Sequence, residues 1–133
     1  MANAVAVLMI ETELPIMMTC ADAAIPKGTI LKLSTPFTVA ASSADNDLFG
    51  GIAAEEKISG DGKKMIAVYR HGIFKCESGD GATTVGLPQT IAGAANELED
   101  LTAADSDLGY IFGTALETAA NGQFFLLDLG KGA

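Results

Sequence analysis

Turn-forming residues divide the chain into short runs. Their spacing is the sequence feature that most limits how the chain can fold. Between the turns, side chains alternate: Thr29, Leu31 and Leu33 lie on one face of the run 28–34, opposite Ile30, Lys32 and Ser34. Alternation with a period of two is typical of β-strands, and many short strands between turns favour a small barrel or sandwich. The sequence therefore predicts a mainly β protein with at most one short helix. The turn clusters are 59–62, 78–83 and 121–122.

Two β-hairpins stand out in this pattern. The first joins 51–56 to a long apolar strand over 63–77, in which His71-Gly72 predicts a bulge or kink. In the second, side chains alternate over 108–117, and the Asn121-Gly122 turn precedes the returning strand Gln-Phe-Phe-Leu-Leu-Asp-Leu. Both open alike, since Gly51 to Glu55 aligns with Gly113 to Glu117, which suggests an internal duplication.

The stretch between the hairpins is less regular. Residues 84–107 contain the run Ala-Gly-Ala-Ala-Asn-Glu-Leu-Glu-Asp-Leu, whose weak periodicity indicates a short helix at about 94–101. This is the one helix that the sequence suggests.

The N-terminal segment differs from the rest because it is apolar and lacks a turn. We expect two parts: an extended arm over 1–24 and a β-rich domain over 25–133. An extended apolar arm suits pairing with another chain. The alternative, that the segment contains the first core strand of the domain, stays open at this point.

The charge balance limits the partners. The formal net charge is −9 and the isoelectric point about 4.3, so phosphate backbones and anionic membrane surfaces would repel the protein. Lys27 is the first basic residue, and Glu11 and Glu13 interrupt the N-terminal apolar run, so we expect no export signal and no membrane span. Cys20 and Cys76 are predicted to be reduced thiols of a protein made in the cytoplasm.

No constellation of catalytic residues is visible. His71 is the single histidine, and its place in a strand favours a structural role. Asp45, Asp47, Gly50 and Glu56 have the spacing of a calcium loop, but Phe49 stands where an oxygen ligand is needed. We therefore expect no enzyme, no metal and no cofactor.

Four motifs in order give the chain a resemblance to a known family. They are Ile-Pro-Lys-Gly-Thr-Ile-Leu-Lys-Leu-Ser (25–34), Gly-Gly-Ile-Ala-Ala-Glu-Glu (50–56), Gly-Ile-Phe-Lys-Cys (72–76) and the hairpin 113–129. Over about residues 25–130 the chain resembles bacteriophage head decoration proteins, also called capsid cement proteins, of the lambda type. The N-terminal stretch and the loop 40–50 depart from that pattern.

The resemblance implies a structural virion protein on the outer surface of a phage capsid. It would be a homotrimer that clamps neighbouring major capsid proteins against internal DNA pressure. The expected anchor is the N-terminal arm, whose apolar side chains Val5, Val7, Met9 and Ile10 would fill pockets on the capsid. Two alternatives are a non-catalytic β-barrel binding module and a tail or baseplate component; a small trimeric enzyme ranks below them.

Overall fold

The computed structural model describes residues 4–102 and 110–130, which form β-strands joined by turns. Neither range contains an α-helix, and therefore neither contains a helix long and apolar enough to cross a membrane. The mainly β fold class predicted from the sequence is confirmed. The strands are β1 (Val7–Ile10), β2 (Ile16–Cys20), β3 (Ile30–Thr35), β4 (Thr38–Ala41), β5 (Phe49–Ala53), β6 (Met65–Tyr69), β7 (Gly72–Ser78), β8 (Pro88–Ile91), β9 (Glu97–Asp100), β10 (Gly113–Ala115) and β11 (Phe124–Leu129).

Strands β2 to β6 form a closed barrel in the order β2-β4-β3-β5-β6. Every neighbouring pair is antiparallel except β2 with β4, which run parallel. The first predicted hairpin lies here, because β5 pairs with β6 and Ile52 is opposite Tyr69. The interior is filled by buried apolar side chains: Met18, Cys20, Ile25, Leu31, Val39, Ala53, Ile66 and Val68.

Strands β7 to β11 repeat this plan. They pair in the order β7-β11-β10-β8-β9, and β9 returns to pair with β7. Again every pair is antiparallel except one, β7 with β9. The two halves thus have the same topology, strand for strand, with β7 in the place of β2 and β11 in the place of β6. We call them the first and second barrels.

Individual contacts confirm the duplication that the sequence suggested. The Gly28 N–H donates to the Ala53 carbonyl (2.9 Å), and the Gly86 N–H donates to the Ala115 carbonyl (2.8 Å). The aligned residues Glu55 and Glu117 also make equivalent hydrogen bonds. The Glu55 carboxylate accepts the Ala67 N–H at 2.8 Å, and the Glu117 carboxylate accepts the Leu126 N–H at 3.0 Å. The isolated bridge Ile25–Lys57 is matched by Thr83–Ala119.

An apolar layer joins the two barrels. On β3, Leu31 points into the first barrel, whereas its neighbour Ile30 belongs to the core of the second. Phe49 of β5 meets Phe112 edge to face, with ring centroids 5.0 Å apart. Strands of the first barrel therefore bury both faces, which is why Ile30 is fully buried although its face also carries Lys32 and Ser34.

The expected N-terminal arm is corrected by the strand pairing. β2 is a strand of the first barrel, with Met18 and Cys20 in its core, and β1 adds to β7 of the second barrel. The alternative of a core strand thus holds for β2. A boundary at residue 24 would cut through the first barrel, because β2 shares its interior with strands beyond that point.

Two local predictions are also changed. Residues 97–100 form β9 and not part of a helix at 94–101, because Leu98 is buried against the second core and Glu97 pairs with Glu77 of β7. The long strand over 63–77 is divided at Arg70-His71, where β6 of the first barrel ends and β7 of the second begins at Gly72 (φ 138°). The second predicted hairpin is present as β10 and β11, whereas Leu108 and Gly109 lie outside the described residues.

Candidate interaction surface

Three of the four predicted anchor residues lie on an edge strand, β1, and Val5 precedes it. β1 pairs with β7 on one side, and among the described residues no strand pairs with its other side. Val7, Met9 and Ile10 are exposed there, whereas Val5 is half-buried. An edge strand presents unpaired N–H and C=O groups and is a template for another chain. The register shift between Leu8 and Ile10 is the kind of irregularity that limits such pairing to a short stretch.

Two rows of mostly apolar side chains cross the outer face of this part of the sheet. Val7, Lys75 and Leu126 are neighbours in the first row, by the register of β1, β7 and β11. Ile10 and Ile73 begin the second row, which ends at Asp128. The Lys75 ammonium lies 5.3 Å from the ring centre of the exposed Phe124. This face offers aliphatic and aromatic contact with one charge of each sign, and aromatic side chains are enriched in protein interfaces.

The N-terminal segment is fastened to both barrels by hydrogen bonds. The Ala6 N–H donates to the Gly28 carbonyl of the first barrel at 2.9 Å, and the Ala4 N–H donates to Glu77 Oε1 of the second at 3.2 Å. Gly28 has φ 88°, and a Cβ there would overlap the Ala6 carbonyl oxygen. A glycine is therefore required where the segment crosses the first barrel.

Two side chains in the link between β1 and β2, Glu11 and Glu13, contact residues near the end of β6. The Tyr69 hydroxyl donates to Glu11 Oε2 at 2.6 Å, and this hydrogen bond, together with burial, raises the pKa of Tyr69. His71 Nδ1 lies 3.0 Å from Glu13 Oε2 at the junction of the barrels. Tyr69 and His71 thus hold the link between β1 and β2 against the junction between β6 and β7.

Among the described residues, one ammonium group is buried, that of Lys57, and two carboxylates hold it. Lys57 Nζ lies 2.6 Å from both Asp22 Oδ1 and Asp61 Oδ1. Burial alone would lower the pKa of Lys57, but the hydrogen bonds to these two aspartates outweigh it and the pKa is raised. The hydrogen bond from Lys57 lowers the pKa of Asp22 and of Asp61. Asp22 also accepts the Gly60 N–H at 3.0 Å, so the ion pair ties the turn after β5 to the loop after β2.

The residues considered for chemistry have structural partners. Asp47 accepts the N–H groups of Ser43 and Ala44 at 2.9 and 3.0 Å and so closes its own loop. Cys20 and Cys76 are buried free thiols, and burial raises the pKa of both, which keeps them protonated.

One acidic group has the spacing of a cation site. Asp45, Asp80 and Glu99 bring carboxylate oxygens within 4.8 Å of one another, so they are the described residues best placed to hold a metal ion. Asp80 also accepts the Gly93 N–H at 3.2 Å. Exposed acidic groups of this kind are common without a bound ion.

Two exposed apolar residues of the first barrel were not singled out from the sequence. Met17 lies on β2 and borders a groove of about 380 Å³ together with Met65. Phe37 lies before β4 with φ 54°, a left-handed conformation that is rare for a bulky side chain. The signal that would have found Phe37 is the internal duplication, because its counterpart in the second barrel is Asn96, at φ 63°.

Comparison with protein families and with curated proteins finds no match to the chain. Among solved structures, the chain is similar to the head fiber gp8.5 N base in bacteriophage phi29. The TM-score is 0.54, the identity 17%, and the similarity covers 91% of this chain and 94% of the other. At this identity the likeness shows a shared fold. It is a likeness to a phage head protein other than a lambda-type decoration protein, so that family stays a prediction.

Proposed function

We propose that this chain is a structural protein of a phage head, which binds the outside of the capsid as a homotrimer. It clamps neighbouring major capsid proteins and so stabilises the shell against the pressure of packaged DNA. The observation that carries this proposal is the fold likeness to a phage head fiber base over nearly the whole of both chains. The decoration-protein motifs in the sequence support the same assignment.

The anchor of this proposal is β1 and the apolar face beside it. Val7, Met9 and Ile10 are exposed on a strand with one open edge, so a capsid strand or loop can add backbone hydrogen bonds there. The pairing of β1 with β7 presents these side chains already ordered. Binding then loses less conformational entropy than it would with a free arm.

Stabilisation of this kind needs no chemistry. A protein that binds the assembled shell and not its separate subunits shifts the equilibrium toward the shell by mass action. Three copies in a closed ring would contact several capsid subunits together, and such multivalent binding makes release slow.

The proposal is tested with capsids of the phage whose head genes adjoin the gene for this chain. Purified protein is mixed with undecorated capsids, and binding is measured by co-sedimentation and by reconstruction of the particles. We expect density at local threefold positions and survival of DNA-filled particles at higher temperature.

A matched pair of variants assigns the anchor. Ile10→Asp places a charge on the open face of β1, whereas Ile58→Asp places the same charge on an exposed turn residue of the first barrel. We expect Ile10→Asp to reduce capsid binding at least tenfold and Ile58→Asp to leave it within twofold. Equal binding by both variants contradicts the role of β1, and equal thermal survival of bare and decorated particles contradicts the clamping function.

A further inference from the structure

The second barrel shows how β7 is covered along its length. β7 is antiparallel to β11 on one side. On its other side, the second half (Glu77 and Ser78) pairs with β9, and the first half (Ile73 to Lys75) pairs with β1. Both edges of β7 are therefore occupied from Ile73 onward.

In the first barrel the corresponding strand is β2. One edge of β2 is paired with β6, but the other edge is paired along only half of its length. β6 pairs with β2 from Ile16 to Thr19, as β11 does with β7. β4 pairs with Thr19 and Cys20 alone. Among the described residues, no strand pairs with the first half of β2 in the way that β1 pairs with β7.

The backbone of Met17 is directed toward this uncovered side. The Cys20 N–H donates to the Lys64 carbonyl at 3.0 Å, on the β6 side, and the Thr19 N–H donates to the Phe37 carbonyl at 3.1 Å, on the β4 side. Because successive N–H groups in a strand point to alternate edges, the Met17 N–H points to the same edge as that of Thr19. β4 does not extend to Met17, so that edge is open to another strand.

Side-chain exposure agrees with a missing strand. Ile16 is 44% exposed, whereas Phe74, its counterpart on β7, is 2% exposed and lies opposite Leu8 of β1. Met17 is 48% exposed, and the left-handed Phe37 beside the edge is 54% exposed. A bulky side chain held in a strained conformation and in solvent, next to an unpaired backbone, is the kind of outlier that accompanies binding sites.

We infer that the first half of β2 is a second binding edge, which accepts an extended strand of a partner protein. That strand runs antiparallel to β2, is apolar at alternate positions and spans about four residues, because β1 on β7 has these properties. The partner is another protein and not a second copy, since the matching strand of this chain is held by its own β7 on one edge and its register shift limits pairing on the other. The edge belongs to the barrel itself, so it exists whether or not the protein binds capsids.

The probe is a synthetic peptide with the sequence of residues 4–11, flanked by lysines for solubility. It is titrated into the full ¹⁵N-labelled chain, and amide shifts and hydrogen exchange are followed by NMR. In the free protein we expect the Met17 amide to exchange rapidly and the Lys75 amide, which faces β1, to be protected. The peptide should shift the amides of 16–18 and protect Met17. A control peptide with prolines in place of Ala6 and Leu8 should do neither.

The variant Met17→Pro removes the N–H that faces the open edge, and proline is tolerated on edges. We expect it to weaken peptide binding about tenfold, as loss of one hydrogen bond and a clash would give, while Met17→Ala stays within about twofold. Three results overturn the inference: a Met17 amide protected in the dilute free protein, protection that appears with protein concentration alone, or peptide shifts confined to 73–75. The first two would mean that the chain itself or a second copy covers the edge. The wild-type Met17 amide reports the contact directly, so the test stands even if the proline variant does not fold.

Discussion

Phe37 and Asn96 share one left-handed backbone conformation, with φ 54° and 63°, at the same place in the two barrels. Asn96 suits it, because asparagine tolerates positive φ, and its Oδ1 accepts the Ile30 N–H at 3.0 Å. Phe37 has the same strained backbone, but its side chain cannot accept a hydrogen bond as the Asn96 amide does. Its ring is exposed. The fold therefore requires a left-handed residue at this position in both barrels, but only the second barrel has a residue, Asn96, that suits it.

We expect Phe37→Asn to stabilise the protein by about 1 kcal/mol, because it relieves left-handed strain and removes little buried surface. Thermal unfolding followed by circular dichroism measures this, and a rise of a few degrees in Tm is expected. Phe37→Ala is the control, since it removes the ring but keeps an ordinary side chain at positive φ. If both variants gain equally, the exposed ring and not the backbone is the source of the effect.

Two truncations separate the roles of β1 and β2. Deleting residues 2–10 should leave a folded protein of lower Tm, because it removes an edge strand and uncovers part of the second core. Deleting residues 2–20 should abolish cooperative unfolding, because Met18 and Cys20 lie within the first barrel. Circular dichroism and heat denaturation distinguish the two. A cooperative transition in the longer deletion would show that β2 is dispensable.

The Lys57 ion pair predicts a loss of stability in acid. The pKa of Asp22 is lowered in the folded protein, chiefly by the hydrogen bond from Lys57, so its contribution is present above the ordinary carboxyl range. That contribution is lost as the pH falls through the lowered pKa, below about pH 5. Asp22→Asn should lower the stability at pH 7 and flatten the acid limb of a urea-denaturation series. Glu56→Gln, which removes an exposed carboxylate, is the control for the change of charge.

The pKa of Glu97 is shifted in the opposite direction to that of Asp22, so its effect on stability has the opposite dependence on pH. Its pKa is raised above the ordinary 4.5 by burial first, then by the hydrogen bond and the charge of Glu77 and by the charge of Asp80. A raised carboxyl pKa favours the fold at low pH, and this contribution is lost as the pH rises from about 4.5 through the raised value. Glu97→Gln should therefore stabilise the protein at pH 7 more than at pH 4. Glu56→Gln, which is exposed, is the control, and an equal effect at both pH values contradicts the assignment.

Sequence patterns predicted the hairpins because each is local. The alternation and the turn chemistry around 59–62 and 121–122 lie within a few residues of the pairs that they specify. The duplication could be seen in the sequence only at the aligned stretches beginning at Gly51 and Gly113. At other equivalent positions the two halves have different residue types. Thr83 replaces Ile25, and Ala119 replaces Lys57, without changing the bridge between them.

Contacts between the barrels could not be predicted in this way. Ile30 appeared to be on a polar face, since nothing local shows that a second barrel covers it. The helix predicted at 94–101 was wrong because Ala, Glu and Leu in this run favour a helix, whereas β9 is held as a strand by its pairing with β8 and β7. The predicted anchor residues Val7, Met9 and Ile10 are on the surface, but as an ordered strand, because the partner of β1 is in the other half of the chain.

The pairing of β1 with β7 also affects how the chain is made. On the ribosome, β1 emerges before the strands of the first barrel, which follow and complete their own pairing. The β7 residues that match it emerge later, and the closing strand β11 comes last, so an apolar strand remains without its partner through most of synthesis. Chains emerging side by side on one messenger would therefore meet while each has an unpaired β1. Strand exchange between neighbours is then favoured by slow translation of the second half and suppressed by fast translation.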